Sequence, residues 1–476
     1  MSTSESDTIA TTDTAGAPVE NANRKQPFPR GFLDAISTGW AERPELTPSP
    51  RPQVPYTAAR RAAVSAAFPG QRLVLPAGTY KQRSNDTDYP FRAHSAFAHL
   101  TGWASDSVPD SVLVFDPRES GDGHDVTLYL RERADRTTAE FYSDATIGEF
   151  WIGPRPALAG VAGELGLTTA PLEDFAATES DLVLDEDPEL TRVVSELRLV
   201  KDDYEIAQLR LAVEVTARGF DDIVADLPRI IQTPRGERAV EGIFHHRARI
   251  EGNGEGYDTI AASGPHACYL HWTRNDGAVL PGDLILIDAG AEVDSLYTAD
   301  ITRTIPVSGT FSPVQRMIYE TVREAADAAF AAARPGVTFR SVHEAAMRVI
   351  AERVAAWGLL PVTAEEALDA DNGGQHRRYM VHGTSHHLGL DVHDCAQARR
   401  EMYYDGILEP GMVFTIEPGL YFQIDDLTVP EEFRGIGVRI EDDILMTADG
   451  PVNLSAGIPR TADEVEAWVA GRTVTS

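Results

Sequence analysis

Two aspartates lie where a pair of strands could bring them together. The segment LILIDAG contains an apolar run at residues 284–287 that is too short for a helix and suits a strand, and Asp288 follows it. Twelve positions later, LYTADITRTIPV alternates so that Asp300 and Thr302 would share one face of a second strand. A hairpin of these strands would place both carboxylates close together. Without further context, a solvated loop acid and a strand-edge acid are the more ordinary interpretation.

Four histidines occur within a dozen residues of the segment HGTSHHLGLDVHD: His382, His386, His387 and His393. Histidine offers a nitrogen ligand to borderline metal ions and carries a proton near neutral pH. Each of them alone is more often a hydrogen-bonded structural residue. Their density, beside glycines that relax the backbone, favours a functional site.

Two further acids follow in strand-like segments. MVFTIEPGLY predicts a strand that ends at Glu417, with a Pro-Gly turn behind it. GVRIEDDIL predicts one strand in which Arg439 and Glu441 point to the same side. Five groups can therefore converge on one face of a sheet, namely Asp288, Asp300, His386, Glu417 and Glu441.

This set of four oxygen ligands and one nitrogen ligand suits hard to borderline divalent cations. Mn²⁺ fits it best, and Co²⁺ or Zn²⁺ is less favoured by ligand type. A single ion seldom needs so many carboxylates. Two ions about 3.5 to 4 Å apart would need them and could hold a bridging hydroxide as a nucleophile. The pattern therefore predicts two divalent metal ions and hydrolytic chemistry.

The elements that position these groups indicate an α/β (α+β) protein. A helix from about residue 55, strands in RLVLPAG, SVLVFDP and HDVTLYLRER, and a helix in ALAGVAGELG form an α/β unit that ends near residue 185. Helical spacing then resumes with a break near residues 201–203, and it returns over about 313–357. Residues 1–28 are rich in Ser, Thr, Ala and acids and predict a disordered tail.

The composition excludes several classes of function. The 476 residues carry a formal charge of −32, which argues against a nucleic-acid binder with a basic patch and against binding to anionic membranes. No stretch approaches the roughly 18 to 20 apolar residues of a membrane span, and the N-terminus lacks an apolar secretory core. Two cysteines cannot form a disulfide scaffold and are expected to be buried thiols. We therefore expect a cytoplasmic protein.

The motifs IDAG, ADITRT, HGTSHHLGLDVHD, EPGLY and GIGVRIEDD together resemble the pita-bread metallopeptidases, specifically the Xaa-Pro aminopeptidases (aminopeptidase P). The N-terminal segment DTDYPFRAHSAFAHLTGW resembles the same family. The resemblance implies an N-terminal aminopeptidase P-type domain at 29–190. It also implies a catalytic pita-bread domain at 191–476, with a curved antiparallel sheet flanked by helices. The implied activity is release of the first residue from peptides with proline in the second position.

The resemblance also assigns roles to individual residues. Asp288 would chelate one ion, Asp300 and Glu441 would bridge both ions, and His386 and Glu417 would complete the other. Glu417 could also take the proton of the attacking water. The remaining positions that match the family's substrate-contacting residues are His271 at the scissile region, His382 and His393 at the transition state and proline subsite, Tyr421 near the metals, and Arg439 beside the subsite.

Two departures from the family pattern stand out. The interval between the aspartates is one residue longer than usual, with the insertion in AEVDSLYTAD. Ala98 replaces a tryptophan that in some relatives reaches a neighbouring subunit's active site, so the resemblance does not predict how the far side of the substrate is enclosed here. Relatives of this family are commonly dimers or tetramers, and we expect a homodimer or homotetramer.

Three alternatives remain open at this point. A prolidase has the same metal set but accepts only Xaa-Pro dipeptides. A catalytically inactive peptide-binding module is disfavoured because all five ligand positions are intact. The same observation disfavours a metal-free, creatinase-like hydrolase.

Overall fold

A computed structural model of the protein describes residues 28–43, 48–85 and 87–472. The tail predicted at residues 1–28 lies outside these ranges, apart from Phe28. Within them, no helix is long and apolar enough to cross a membrane. Cys268 and Cys395 are buried free thiols, as predicted.

The N-terminal unit comprises the elements from α1 to α7. Its helices are α1 (Arg30–Ile36), α2 (Val54–Ala67), α3 (Ser95–Thr101), α4 (Ala139–Ser143), α5 (Glu149–Ile152), α6 (Leu158–Leu165) and α7 (Pro188–Glu196). Its strands are β1 (Leu73–Pro76), β2 (Gln82–Ser84), β3 (Thr87–Asp88), β4 (Val112–Pro117), β5 (His124–Leu130), β6 (Thr168–Pro171) and β7 (Leu182–Val183). The main sheet has the order β6-β5-β4-β1-β7, with antiparallel central pairs and parallel outer pairs. The predicted α/β unit is therefore confirmed.

The C-terminal unit comprises the elements from α8 to α14. Its helices are α8 (Asp203–Ile230), α9 (Gly236–Glu251), α10 (Pro313–Ala332), α11 (Arg340–Ala356), α12 (Ala364–Ala367), α13 (Arg400–Tyr403) and α14 (Ala462–Arg472). Its strands are β8 (Gly254–Glu255), β9 (Ile260–Ser263), β10 (Leu284–Ala289), β11 (Ala291–Glu292), β12 (Ile301–Pro306), β13 (Val413–Ile416), β14 (Gly419–Phe422), β15 (Ile436–Arg439), β16 (Asp442–Thr447) and β17 (Gly450–Asn453). All strand pairs among them are antiparallel.

The helical break predicted near residues 201–203 is the start of α8. The Asp202 side chain accepts a hydrogen bond from the Glu205 N–H, and the Glu205 carboxylate accepts one from the Asp202 N–H. These two bonds form a capping box at the N-terminus of the helix. Apolar side chains of α8 and α9 then pack with those of β9, β10 and β12 in one core. A second core lies in the N-terminal unit between its sheet and α2, α3 and α6.

One sequence prediction about a strand was wrong. GVRIEDDIL is two strands, because β15 ends at Arg439 and β16 begins at Asp442. β15 pairs with β14 while β16 pairs with β13, so the chain changes sheets between them. Glu441 lies at this crossing, and its N–H donates to the Thr302 carbonyl of β12 (3.1 Å). The crossing places Glu441 directly beside the hairpin that holds the two aspartates.

Candidate metal centre

The predicted hairpin forms and brings the two aspartates together. Asp288 on β10 pairs with Thr302 on β12, two residues from Asp300. The Tyr257 hydroxyl lies 2.7 Å from Asp288 Oδ1 and 2.6 Å from Asp300 Oδ1, so it links both carboxylates. A Cβ at Gly290 would lie 1.7 Å from the Ala299 carbonyl oxygen. The glycine of the IDAG motif is therefore required for the close approach of the two strands.

His386 and Glu417 reach the aspartates from a neighbouring layer. The Glu417 N–H donates to the Thr384 carbonyl (2.9 Å), which fixes the end of β13 beside the histidine segment. His386 Nε2 lies 3.1 Å from Asp300 Oδ2 and 3.7 Å from Glu417 Oε1. One ring nitrogen of His386 therefore faces a carboxylate just before β12 and another just after β13, and these strands belong to different sheets.

Glu441 and Arg439 are both tied to Thr302. The Thr302 hydroxyl donates to Glu441 Oε2 (2.7 Å), and Arg439 Nε donates to the Thr302 hydroxyl oxygen (3.1 Å). Arg439 also donates to the Asp288 carboxylate through Nη2 and to the Tyr421 hydroxyl oxygen through Nη1 (3.1 Å). The prediction that Arg439 and Glu441 face the same side is thus confirmed, although a single strand does not carry them.

The donor set fits divalent cations. Ligand atoms of Asp300, His386 and Glu441 all lie within 4.8 Å of one another, and Asp288 and Glu417 adjoin them. With His386 neutral, as a metal ligand must be, four ionised carboxylates and the Arg439 guanidinium leave three uncompensated negative charges in this cluster. One divalent ion would leave one negative charge, and two ions would overcompensate by one, which a hydroxide would balance. Carboxylate oxygens and an imidazole nitrogen are suitable ligands for Mn²⁺.

The pKa values reflect this excess of negative charge. Burial raises the pKa of Glu417 to about 8, despite the nearby charges of His386 and Arg439. Burial also raises the pKa of Asp288, and burial together with the Asp300 charge raises the pKa of Glu441 well above its usual range. Burial opposes the charged form of His386, but its hydrogen bond to Asp300 and the charges of Asp300 and Glu417 together outweigh burial and raise its pKa to about 9. Divalent cations would let the carboxylates ionise together.

A cavity of about 710 Å³ is lined by His271, His382, His393, Arg439 and all five predicted ligands. Tyr421, the remaining predicted substrate residue, does not line it and lies behind His382. The His393 ring lies 4.4 Å from the His386 ring, nearly perpendicular to it. Burial followed by the charge of His386 lowers the pKa of His393. Ala98, by contrast, is buried in α3 against the C-terminal core and does not line this cavity.

His382 belongs to a chain of hydrogen bonds that starts at Arg439. Tyr421 accepts from Arg439 Nη1, and its hydroxyl lies 2.8 Å from His382 Nε2. His382 Nδ1 lies 2.6 Å from the Gly383 carbonyl oxygen and 3.4 Å from Glu417 Oε2. A carbonyl can only accept, so Nδ1 carries the proton and Nε2 accepts from Tyr421. Burial, followed by the charge of Arg439, lowers the pKa of His382 to about 3, which is consistent with a neutral ring.

Sequence reasoning missed three residues of the centre. Tyr257 links the two aspartates, but no local pattern distinguished it behind the glycine-rich turn EGNGEG. Asp443 accepts the Asp300 N–H through Oδ2 (3.2 Å) and is buried. Thr302 was placed on the face of Asp300 by strand alternation, and that signal could have identified it as a partner of the ligands.

Comparisons with known proteins agree with this geometry. The model of metallopeptidase family M24 matches residues 207–448, and the model of the aminopeptidase P N-terminal domain matches residues 57–188. Xaa-Pro aminopeptidase 1 of Streptomyces coelicolor is 52% identical over 461 residues, which cover 92% of each chain. The solved aminopeptidase PepP of Pseudomonas aeruginosa has a TM-score of 0.75 at 33% identity, over 89% of this chain and 99% of that one. Zinc-substituted Escherichia coli aminopeptidase P in complex with product has a TM-score of 0.76 at 31% identity, over 89% of this chain and 100% of that one.

Fold, site and family model define the class of protein: the chain belongs to metallopeptidase family M24. Within that family its N-terminal unit and its relatives are those of aminopeptidase P, so the resemblance inferred from the motifs is confirmed. The predicted fold class is confirmed as well, with an α/β unit in front of a pita-bread unit built of antiparallel sheets. Membership of this family also supports the use of divalent metal.

Proposed function

We propose that this protein is a metal-dependent aminopeptidase that releases the first residue of peptides with proline in the second position. The convergence of Asp288, Asp300, His386, Glu417 and Glu441 on one cavity, beside three further histidines, supports the proposal most directly. The similarity to Xaa-Pro aminopeptidases over nearly the whole chain supports the substrate class. All five ligand side chains are present and face the cavity, which argues against an inactive binding module.

We propose that these five residues would hold two divalent ions, with Asp288 at one ion, His386 and Glu417 at the other, and Asp300 and Glu441 shared between them. The physiological metal is proposed to be Mn²⁺, with Co²⁺ or Zn²⁺ able to replace it. Two such ions would lower the pKa of bound water and polarise the scissile carbonyl. The positive charge of two such ions would explain why the site holds so many carboxylates.

The protein's own groups then act on protons and charge. Glu417 lines the cavity, and with cations bound its carboxylate would be ionised and able to take the proton of the attacking water and pass it to the leaving nitrogen. His271 and His393 are proposed to donate hydrogen bonds to the oxygen that becomes negative in the transition state. His382, held by Tyr421 and Gly383, is proposed to line the proline subsite with Arg439 behind it.

Selectivity for proline follows from the shape and charge of the site. The nitrogen of an Xaa-Pro bond has no N–H and is hindered, so a pocket shaped for the flat ring would select it. The acidic cluster would hold the free α-ammonium of the substrate, which limits cleavage to the first residue. A peptide of the type Arg-Pro-Pro should therefore lose its first residue, whereas its N-acetylated form and the analogue Arg-Ala-Pro should remain intact.

The same assay separates an aminopeptidase from a prolidase. Mass spectrometry of the products with Arg-Pro and Arg-Pro-Pro compares a dipeptide and a tripeptide under identical conditions. Cleavage of the tripeptide is the expected result. Cleavage of the dipeptide alone would favour the prolidase alternative and overturn the proposed specificity.

We further propose the domain division 29–190 and 191–476, assembly as a homodimer or homotetramer, and a cytoplasmic location. Separate cores in the two units support the division. Two buried free thiols are compatible with a reducing compartment. The charge of −32 supports peptide substrates rather than nucleic acid or anionic membrane as partners.

A further inference from the structure

The segment 387–394, here called the histidine loop, determines where His393 lies. The Asp394 N–H donates to the His387 carbonyl (2.9 Å) and closes the loop, while the Gly389 N–H donates to the Asp391 carbonyl (3.1 Å) inside it. This closure folds His393 back to the ligand His386, at 4.4 Å between the ring centroids. A shift of the loop would therefore move His393 relative to the metal centre.

The base of the histidine loop is anchored by buried charges. Asp394 Oδ2 lies 3.1 Å from Lys201 Nζ, and Asp394 Oδ1 lies 3.3 Å from Arg198 Nη2. A Cβ at Gly389 would lie 2.2 Å from the Asp394 carboxylate, so the backbone is packed directly onto the ion pair. Lys201 and Arg198 belong to the connection between α7 and α8. This anchor fixes the base, and Arg198 also reaches the tip, where its Nη2 lies 3.3 Å from Asp391 Oδ2.

The tip of the histidine loop is held by the N-terminal unit. Ser95, the first residue of α3, donates its hydroxyl to Asp391 Oδ1 (2.5 Å). Arg92 donates through Nη2 to the Leu390 carbonyl (2.5 Å) and through Nη1 to the Ser95 hydroxyl oxygen (3.1 Å). Arg92 is itself held by the buried Glu292 (2.6 Å), which belongs to β11 next to the aspartate hairpin. The N-terminal unit thus binds the histidine loop at Leu390 and Asp391, three and two residues before His393.

From these contacts we infer that Ser95 and Arg92 are positioning residues for catalysis, because they hold His393 over the metal centre through Asp391 and Leu390. The inference rests on the proposed function of His393. It gives the N-terminal unit a part in the chemistry of the C-terminal unit, since the contacts span about 300 residues of sequence. A displacement of a catalytic group by even about 1 Å can cost a large factor in rate.

The test uses Ser95→Ala, because this substitution removes one hydroxyl and leaves the Arg92–Glu292 pair intact. We expect kcat for an Xaa-Pro-Yaa peptide to fall about tenfold with little change in KM or melting temperature. Asp391→Asn removes the charge at the same contact and also the partner of the buried Arg198, so it should lower kcat at least as much and lower the melting temperature as well. Arg399→Gln is the matched control, since it breaks another ion pair between α7 and the C-terminal unit (Arg399–Glu196, 2.8 Å) without touching the histidine loop. It should retain the wild-type kcat.

A double-mutant cycle with His393→Ala identifies the route of the effect. If Ser95 acts through His393, Ser95→Ala should have no further effect on kcat in the His393→Ala background. An equal loss in both backgrounds, or an unchanged kcat in Ser95→Ala, would overturn the inference. If His393→Ala is too slow to measure, ¹H–¹³C spectra of the histidine Cε1 groups replace the cycle. The His393 resonance should shift in Ser95→Ala and remain unchanged in Arg399→Gln. An unchanged His393 resonance in Ser95→Ala would overturn the inference. Failure of the wild-type enzyme to cut the peptide would instead contradict the proposed function.

Discussion

Replacing Arg439 with methionine should destabilise the protein in a way that divalent metal repairs. The guanidinium is 3% exposed and donates to Asp288, to the Tyr421 hydroxyl (3.1 Å) and to the Thr302 hydroxyl (3.1 Å). Methionine keeps much of the volume but leaves Asp288 without its cation in a buried cluster. Breaking one side of a buried ion pair typically costs about 3–5 kcal/mol. For a domain of this size, that free energy corresponds to a fall in melting temperature of roughly 10 °C.

Calorimetry of the chelator-treated protein measures this loss, and the same scan with Mn²⁺ measures its repair. Because Arg439→Met makes the cluster more negative, added Mn²⁺ should raise the melting temperature of the variant by more than it raises that of the wild type. Arg353→Met is the control, since its partner Glu324 is half exposed and the pair contributes less than about 1 kcal/mol. A loss in Arg439→Met below about 1 kcal/mol in the chelated protein, or equal metal-induced shifts in both proteins, would refute the reasoning.

Three further outcomes are expected. Asp300→Asn should abolish peptide cleavage while circular dichroism stays unchanged, because it weakens a ligand without removing bulk; full activity in that variant would contradict the assignment. Lys201→Met should lower the free energy of unfolding by up to about 3 kcal/mol, because it removes one of the two cations that face the buried Asp394 and leaves Arg198, whereas Arg30→Met at an exposed pair should change it by less than about 0.5 kcal/mol in denaturant titrations. Burial, followed by the charge of Arg377, lowers the pKa of His343 to about 4. The unfolded chain therefore binds this proton more readily, and wild-type stability should fall as the pH drops from about 6.5 to 4 more steeply than that of His343→Gln; parallel pH profiles would exclude this role.

Local patterns predicted the ligands because each lies in a short motif with its own signal. Asp288 comes directly after an apolar run, and the alternation of residues in the next strand predicts the face on which Asp300 lies. The hairpin register then fixes their closeness, which the structure shows through Tyr257. The motif identified Glu441, but its position at a crossing between two sheets was not predicted. Strand periodicity does not show where the chain leaves one sheet and enters another.

Contacts between distant parts of the chain could not be predicted from local patterns. Ser95 and Asp391 are 296 residues apart, and nothing in either segment indicates that one holds the other. Tyr257 likewise meets the aspartates because it lies between β8, which pairs with β11, and β9, which pairs with β10. Such partners depend on the packing of whole units, so the sequence indicates which chemistry is present more readily than which residues position it.

The most direct test of the central claim is anomalous diffraction from crystals of the protein loaded with Mn²⁺. Two manganese peaks are expected, each within coordination distance, about 2 to 2.6 Å, of carboxylate oxygens from the five proposed ligands, with Asp300 and Glu441 contacting both. Peaks away from these residues, a single peak with unliganded acids beside it, or no peak in the cavity would contradict the account.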